Sequence, residues 1–374
     1  MCFISHTAEM GGAERVLLEA ALALKNEGCK VSTMLPSSGP LEVKLKELGI
    51  ETSVCQYNWW VSRRRSFKRL RKNLRNVLSA FVIGRQIKRW DCDVVITNTI
   101  VIPSGALAAW LLRKPHVWYI HEFGDLDHRL IFNLGLKTSA WIIWKLSDCV
   151  LFNSQATYDR FRSLMPENRM RTIYCAVHVP ASLDKSRNSS FAAGKSFRCL
   201  ILGAVAEGKG QEDAIRAVGE LAYKRYWCEL VIVGLKFMKY YTFLESLIKQ
   251  YDIGDRVRFM GFVDPPYSVI QQSDVLLMCS RCEAFGRVTV EAMKLGKPVI
   301  GTAIGGTKEL IIEGYNGFLY PVGDYRTLAG KILFFIEKRE KLLEMGQNAQ
   351  RWATGRFNLE KYGKELMEVI NHVR

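Results

Sequence analysis

Two glutamates with seven residues between them frame the segment with the most chemical content, Glu283-Ala-Phe-Gly-Arg-Val-Thr-Val-Glu291, which continues as Ala-Met-Lys-Leu-Gly-Lys-Pro-Val-Ile. The spacing predicts a helix starting near Arg287 or Val288, so that Glu283 lies in a loop and Glu291 about one turn inside. A helix N-terminus offers free N–H groups and a partial positive charge, a ready site for a diphosphate. Carboxylates on either side can accept hydrogen bonds from sugar hydroxyls, bidentately when two hydroxyls are vicinal. Two glutamates alone would read rather as a first-turn acid favoured by the dipole and a solvated helix residue. Lys209 sits between two glycines after the apolar run Cys199-Leu-Ile-Leu-Gly203; glycine lets backbone approach a phosphate and the ammonium adds a point charge. By itself Gly-Lys-Gly reads as a surface turn.

Three further features stand in the same relation to a strand: Gly11-Gly12, His121 after Val117-Trp-Tyr-Ile, and Gly305-Gly306. Gly11-Gly12 is not a full Gly-x-Gly-x-x-Gly fingerprint, so no dinucleotide cofactor is indicated. A lone histidine is commonly structural, and only its place after a strand marks His121 as a functional candidate.

The elements that must position these residues alternate. Strand-like runs occur at 2–5, 30–35, 50–54, 93–97, 116–121, 148–152 and 171–174, and again at 198–205, 229–234, 257–262, 275–279, 298–302 and 317–320. Between the first two, residues 13–27 carry a helical apolar stripe that ends before Gly28. Strand–helix alternation in both halves predicts an α/β chain of two doubly wound domains: 1–180, a polar linker at 181–197, and 198–374, with a last helix that can pack back on the first domain. In such sheets ligands bind outside the carboxyl ends of the strands, where all five features fall. The pair Asp91-Cys-Asp93, which looks metal-binding, precedes its strand and falls at the other end.

The chain has 374 residues, 48% hydrophobic and 24% charged, with 53 basic against 37 acidic side chains and a net charge of +16. That excludes a disordered chain and a small disulfide scaffold. Ten cysteines lie mostly in apolar runs. Only Cys279 and Cys282 have metal-ligand spacing, with no second pair, so no metal site is expected and a reducing cytoplasm fits best. The start shows no signal-peptide pattern. Residues 94–112 lack charge but hold Asn98, Pro103 and Gly105, and read as strand, turn and helix rather than a membrane span.

Taken together these motifs resemble the GT-B fold glycosyltransferases, specifically the retaining family 4. The matching residues are Gly11-Gly12-Ala-Glu-Arg, His121-Glu122, Lys209-Gly210, the paired glutamates with their Phe-Gly and following Glu-Ala-Met-x-x-Gly-x-Pro-Val, Gly305-Gly306-x-x-Glu309 and Asn316-Gly317-Phe-Leu. The resemblance implies two Rossmann-like domains facing each other across a cleft, the first binding acceptor and the second the nucleotide-sugar donor. It implies catalytic roles for His121, Lys209 and Glu283. Donor contacts would come from Gly12, Gly203, Lys209, Val263, Glu283, Phe285, Gly286, Val288 and Glu291, with Glu291 on the ribose diol. No metal or other cofactor is expected. Where the family has an arginine after the glycine of the lysine loop, Ala204 follows Gly203, and Arg281 or Arg287 are candidates for the missing phosphate contact.

Residues 51–100 hold 11 basic and 3 acidic groups. Within them Arg63, Arg64, Arg65, Lys68, Arg69, Arg71 and Lys72 precede a helical apolar spacing at 67, 70, 74, 77, 78 and 81, and Trp59-Trp60 lie just before. Cationic helix plus aromatics suits an anionic membrane or acceptor; a core-packed helix with a solvated basic face is the other reading. The expectation is a peripheral enzyme on the cytoplasmic face of the membrane, of the hexosyltransferase type. It would use a UDP- or GDP-sugar to extend a glycan or lipid-linked acceptor in cell-surface polysaccharide or glycolipid synthesis. A same-fold epimerase or hydrolase is the alternative; a nucleic-acid-binding protein is the other, although no nucleic-acid motif accompanies the charge and no nucleic-acid partner is expected.

Overall fold

The structure, a computed structural model, describes residues 1–62, 69–180 and 196–374, and the side chains of all of these except 69–74 and 128. The chain divides into two compact units, residues 1–178 with 357–374, and residues 179–356.

The first unit opens with β1 (Cys2–Ile4), α1 (Gly12–Asn26), β2 (Ser32–Leu35), α2 (Pro40–Glu47) and β3 (Glu51–Val54). A short β4 (Val61–Ser62) precedes α3 (Arg69–Arg89), β5 (Val95–Asn98), α4 (Ser104–Leu112) and β6 (His116–Ile120). There follow α5 (Asp125–His128), β7 (Ile131–Phe132), α6 (Leu136–Lys145), β8 (Cys149–Phe152), α7 (Gln155–Arg162) and β9 (Met170–Thr172). Seven strands form a parallel sheet in the order β3-β2-β1-β5-β6-β8-β9, while β4 and β7 make a separate antiparallel pair. The order reverses direction between β1 and β5, which opens a crevice at their carboxyl ends. One core joins Ile83 and Ile87 of α3, Ala108 of α4 and Ile143 of α6 to Trp118, Ile120 and Val150 of the strands.

In the second unit β10 (Phe197–Leu202), α8 (Gln211–Tyr223), β11 (Cys228–Val233), α9 (Met238–Gln250) and β12 (Val257–Met260) come first. Then come α10 (Tyr267–Gln271), β13 (Val275–Met278), α11 (Arg287–Lys294), β14 (Val299–Thr302), α12 (Gly305–Leu310), β15 (Gly317–Tyr320), α13 (Tyr325–Glu337) and α14 (Arg339–Arg356). All six strands are parallel in the order β12-β11-β10-β13-β14-β15, with β10 and β11 in register from Phe197↔Cys228 to Leu202↔Val233. Helices cover both faces, so Leu230-Val-Ile-Val233 and Val275-Leu-Leu-Met278 are apolar and buried at every position. Each such side chain contributes about 1.5–3 kcal/mol through burial. The direction reverses between β10 and β13, the strands whose following loops carry Lys209 and Glu283.

All thirteen strands expected from the sequence are present, most of them a residue or two shorter, in two doubly wound parallel sheets. The two-residue strands β4 and β7 escape pattern reading because neither is long enough to show a period. Of the expected linker, 181–195 lies outside the described residues, and Phe197 is already the buried first residue of β10. The last helix, α15 (Leu359–Val373), belongs to the first unit. It buries Tyr362, Leu366 and Ile370 against α1, with Gly363 close to the Ala23 carbonyl. Tyr362 donates to the Tyr119 hydroxyl at 3.1 Å, and Val177 N–H donates to the Phe357 carbonyl at 3.1 Å. Leu366→Ala should therefore lower the unfolding free energy by about 2–4 kcal/mol, whereas Lys364→Ala, on the exposed face, should stay within about 0.5 kcal/mol; chemical denaturation of both variants measures the difference.

Candidate functional site

At the reversal of the second sheet, two loops meet backbone to backbone. The loop after β10 turns through Gly203, Gly208 and Gly210, all at positive φ. A Cβ on Gly210 would sit 2.0 Å from the Cys279 carbonyl oxygen, so only glycine lets α8 start there. The Arg281 N–H donates to the Gly208 carbonyl at 2.8 Å and ties the second loop to the first. This places Lys209 Nζ 3.1 Å from Glu283 Oε2, with the lysine side chain 41% and the glutamate 19% exposed. From the other side, Gly306 N–H donates to the Glu283 carbonyl at 2.8 Å, and a Cβ on Gly306 would lie 2.4 Å from the Ala284 carbonyl oxygen. Gly305-Gly306 thus supports the backbone of the glutamate loop, and Asn316 holds the end of α12 by accepting from Ile312 N–H and donating to the Leu310 carbonyl.

The helix α11 begins at Arg287, with Gly286 in the left-handed conformation as its cap. Phe285 and Gly286 are buried, Val288 is half-buried in the first turn, and Glu291 is buried one turn in. Arg287 Nε donates to Glu291 Oε1 at 3.1 Å, with side-chain exposures of 12% and 4%. Arg281 is held by Glu212 Oε1 at 2.6 Å and Asp213 Oδ1 at 3.1 Å. Both candidates for the phosphate contact absent at Ala204 therefore already hold carboxylates. Breaking the buried Arg287–Glu291 pair would strand a charge, at about 3–5 kcal/mol. The Lys209–Glu283 pair is half-exposed and worth about 1 kcal/mol or less, so Lys209 is the cation most easily redirected to an incoming anion. Val263 is half-buried two residues after Gly261, in the loop that follows β12.

In the first unit a second cluster lies at the ends of β1, β5 and β6. Gly11 N–H donates to Glu14 Oε2 at 3.1 Å and α1 starts at Gly12. Asn98, the last residue of β5, donates from Nδ2 to the Ala13 carbonyl and presents Oδ1 to His121 Nε2 at 2.6 Å. His121 must then donate from Nε2, which leaves Nδ1 a bare acceptor. Among the described residues that Nδ1 is buried without a hydrogen-bond partner. Burial, with His6 nearby, drives the imidazole down to about 3, so it is neutral. Burial lifts the adjacent Glu122 carboxyl to about 7 even though it accepts from Ile100 N–H and His121 N–H. Sequence reading passed over Asn98, Glu212 and Asp213 as site residues. Asn98 carried a signal, being a polar residue closing an apolar strand; the acids beside Gly210-Gln211 were another.

The basic stretch divides. Arg63, Arg64, Arg65 and Lys68 lie outside the described residues, and Arg69, Arg71 and Lys72 are on α3 with side chains outside them. Trp60 corrects the expectation of a docking aromatic: it is buried, donates from Nε1 to the Ile100 carbonyl at 2.8 Å and stacks on Trp118 at 5.7 Å. The core beside β4 needed a large side chain there. Trp59 stays half-exposed against His6. Asp93 pairs with Arg374 at 2.5 Å ahead of β5, and among the described residues no three His, Cys, Asp or Glu gather as metal ligands.

The family model described as "Glycosyl transferases group 1" matches residues 183–352, and that of "Glycosyltransferase Family 4" matches residues 10–179. A putative glycosyltransferase of Bacillus subtilis, EpsD, is 30% identical over 310 residues, 77% of this chain and 80% of that one. The N-acetyl-alpha-D-glucosaminyl L-malate synthase of Bacillus anthracis is 33% identical over 153 residues, and that match spans only 41% of this chain and 39% of the relative. Among solved structures, Anabaena HepE in complex with UDP-glucose superposes with a TM-score of 0.79 at 24% identity, covering 99% of each chain.

The buried histidines set a pH dependence. His116, bonded to Thr97 and Ser147, is also driven by burial to about 3. Below its ordinary 6.5 each histidine binds a proton only when unfolded, so stability falls with pH down to about 3, by about 1.4 kcal/mol per unit per group. Glu122 acts oppositely between 4.5 and about 7, where only the folded carboxyl keeps its proton. The loss should steepen below about pH 4.5, and His121→Phe should remove about half of that slope. Unfolding free energies measured across pH 3–7 test this, and an unchanged slope would show that His121 is not the neutral buried group.

Proposed function

This chain belongs to the group 1 glycosyl transferases of family 4 and is an enzyme of the hexosyltransferase type that uses a nucleotide sugar, and from that premise we propose that it transfers the sugar with retention to a glycan or lipid-linked acceptor at the cytoplasmic face of a membrane, in cell-surface polysaccharide or glycolipid synthesis. The observation that carries the reading is the Lys209–Glu283 contact of 3.1 Å in the loop that leads into α11, on the reversal of the second sheet. The donor diphosphate would lie against the N–H groups around Phe285, Gly286 and Val288. Lys209 would leave Glu283 for the departing phosphate, and the freed carboxylate would accept hydroxyls of the sugar. Glu291, held in place by Arg287, would accept the ribose diol. Gly203 and Val263 would present backbone to the nucleotide, Gly12 would give a bound sugar room at the start of α1, and the bare Nδ1 of neutral His121 would accept a sugar hydroxyl.

Cleavage of the anomeric carbon–phosphate bond builds negative charge on the diphosphate. A fixed ammonium and a helix terminus stabilise that charge more in the transition state than in the ground state. The acceptor oxygen would bond to the anomeric carbon on the face that the phosphate leaves, passing its proton to a phosphate oxygen. Charge neutralisation by Lys209 and α11 supports a reaction without a metal ion. A UDP-sugar is the favoured donor, because the HepE structure of the same fold is a complex with UDP-glucose.

Lys209→Ala and Glu283→Gln should each lower turnover at saturating donor by about 100- to 1000-fold, or about 3–4 kcal/mol, with melting temperature unchanged. Wild-type turnover in both variants would refute the site. A thermal-shift series with UDP-, GDP- and ADP-sugars should show one base stabilising the protein and Glu291→Ala abolishing that shift. A shift that survives Glu291→Ala would remove the ribose assignment.

A further inference from the structure

Over residues 76–82 helix α3 buries small and polar side chains and leaves large apolar ones outside. Its buried side carries Asn76, Ser79, Ala80, Ile83 and Ile87; Asn76 accepts from Asn58 N–H at 2.8 Å, and Ser79 donates to the Asn76 carbonyl at 3.0 Å. The outer side presents Val77, Leu78, Phe81 and Val82, with Leu78 61% and Phe81 55% exposed. These lie four apart in two rows and form one stripe, which continues along the helix as Arg85, Lys88 and Arg89, all exposed. The apolar spacing read from the sequence at 77, 78 and 81 is real, but it does not face the core.

The surface extends onto the next helices. Leu112 of α4 packs over Gly84, and on the outer side of the same helix Trp110 is 64% exposed. The carboxyl ends of α4 and α6 border a groove of about 600 Å³ lined by Trp110, Leu111, Arg113, Lys114, Lys145 and Arg169. Its acid, Asp148, accepts from His116 N–H at 2.9 Å. Trp141 on α6 is exposed as well. Residues 69–89, 104–114 and 136–145 contain neither Asp nor Glu. Among the described residues none of Arg85, Lys88, Arg113, Lys114 and Lys145 meets a carboxylate. A stripe of large apolar side chains beside unpaired cations is not a surface that water alone accounts for.

Three kinds of occupant would cover it. A second copy docked through the same patch would bring its cations against identical cations. A nucleic acid would satisfy the charge and leave Leu78, Phe81 and Val82 in water. An anionic bilayer takes both, with apolar and indole side chains in the headgroup–acyl boundary and cations on the phosphates. No helix among the described residues is long and apolar enough to cross a membrane, so the contact is face-on.

We propose that this face of the first unit docks on anionic phospholipid. Leu78, Phe81, Val82 and Trp110 enter the boundary layer, and Arg85, Arg113 and Lys114 meet lipid phosphates, with the groove receiving a headgroup. The proposal deepens the membrane-face reading above and rests on it, but it uses residues outside the stretch 63–72.

The test is co-sedimentation of the full chain at 0.1 M salt, where the Debye length is about 10 Å, with vesicles of pure phosphatidylcholine and of phosphatidylcholine with about a quarter phosphatidylglycerol. Binding should favour the anionic vesicles at least about tenfold. The triple variant Arg85→Gln/Arg113→Gln/Lys114→Gln should lose about five-fold per charge, about 100-fold in all. Leu78→Glu/Phe81→Glu should abolish binding. Both variants alter exposed or half-exposed side chains and should keep the wild-type thermal shift with nucleotide sugar. Equal binding to both vesicle types, no binding to either, or unchanged binding in the double variant overturns the proposal. So does a dimer in light scattering that Leu78→Glu/Phe81→Glu dissolves. Vesicle binding that persists in a protein failing every nucleotide-sugar test would sink the enzymatic reading and leave this surface standing.

Discussion

The backbone approach between the loop after β10 and the loop after β13 governs the second unit. Because the Cys279 carbonyl lies where a side chain on Gly210 would project, α8 can start close enough for Arg281 N–H to reach the Gly208 carbonyl. That contact carries Lys209 to Glu283 and sets both beside the first turn of α11. The sheet makes the approach possible, since neighbouring strands whose helices leave in opposite directions separate at their carboxyl ends. Charge then follows geometry. The exposed Lys209 pair is weak and exchangeable, while the buried Arg287–Glu291 pair and the Arg281 cluster with Glu212 and Asp213 are held in place. The Lys209 contact can therefore change without dismantling the pairs that support the loops around it.

The first unit solves a different problem, keeping a histidine neutral and in one tautomer. Asn98 is itself oriented by the Ala13 carbonyl, and this removes the choice of which imidazole nitrogen donates. Burial removes the positive charge. What results is a hydrogen-bond acceptor whose state does not change across neutral pH. Glu122, beside it, has its proton equilibrium moved to about 7 by the same burial, so two adjacent titratable groups are displaced in opposite senses of charge by one cause.

Helix α3 shows how a single pattern admits two opposite placements. Apolar residues at helical spacing normally point to the core. Here small and polar residues, Asn76, Ser79 and Ala80, occupy the inner side because α4 packs closely against it. Val77, Leu78, Phe81 and Val82 are left outside, beside cations that have no carboxylate among the described residues to meet, while Ile83 and Ile87 further along the helix join the core.

The strands, their gathering into two doubly wound domains and the place of the glutamate and lysine motifs after their strands were legible from the chain alone. Apolar runs of four to six residues separated by helical stripes admit few other arrangements. The helix start at Arg287 was legible too, since a Gly-Arg boundary before an amphipathic run is a local signal. Tertiary structure alone decided what each polar group touches. It buried Trp60, gave Arg281 to Glu212 and Asp213, set Asn98 against His121, and brought α15 back to α1 across more than three hundred residues of chain. Periodicity reports which side of an element is apolar, but it carries no record of which neighbour arrives there. That depends on non-local packing, whose contacts are set by shape and burial rather than by residue spacing.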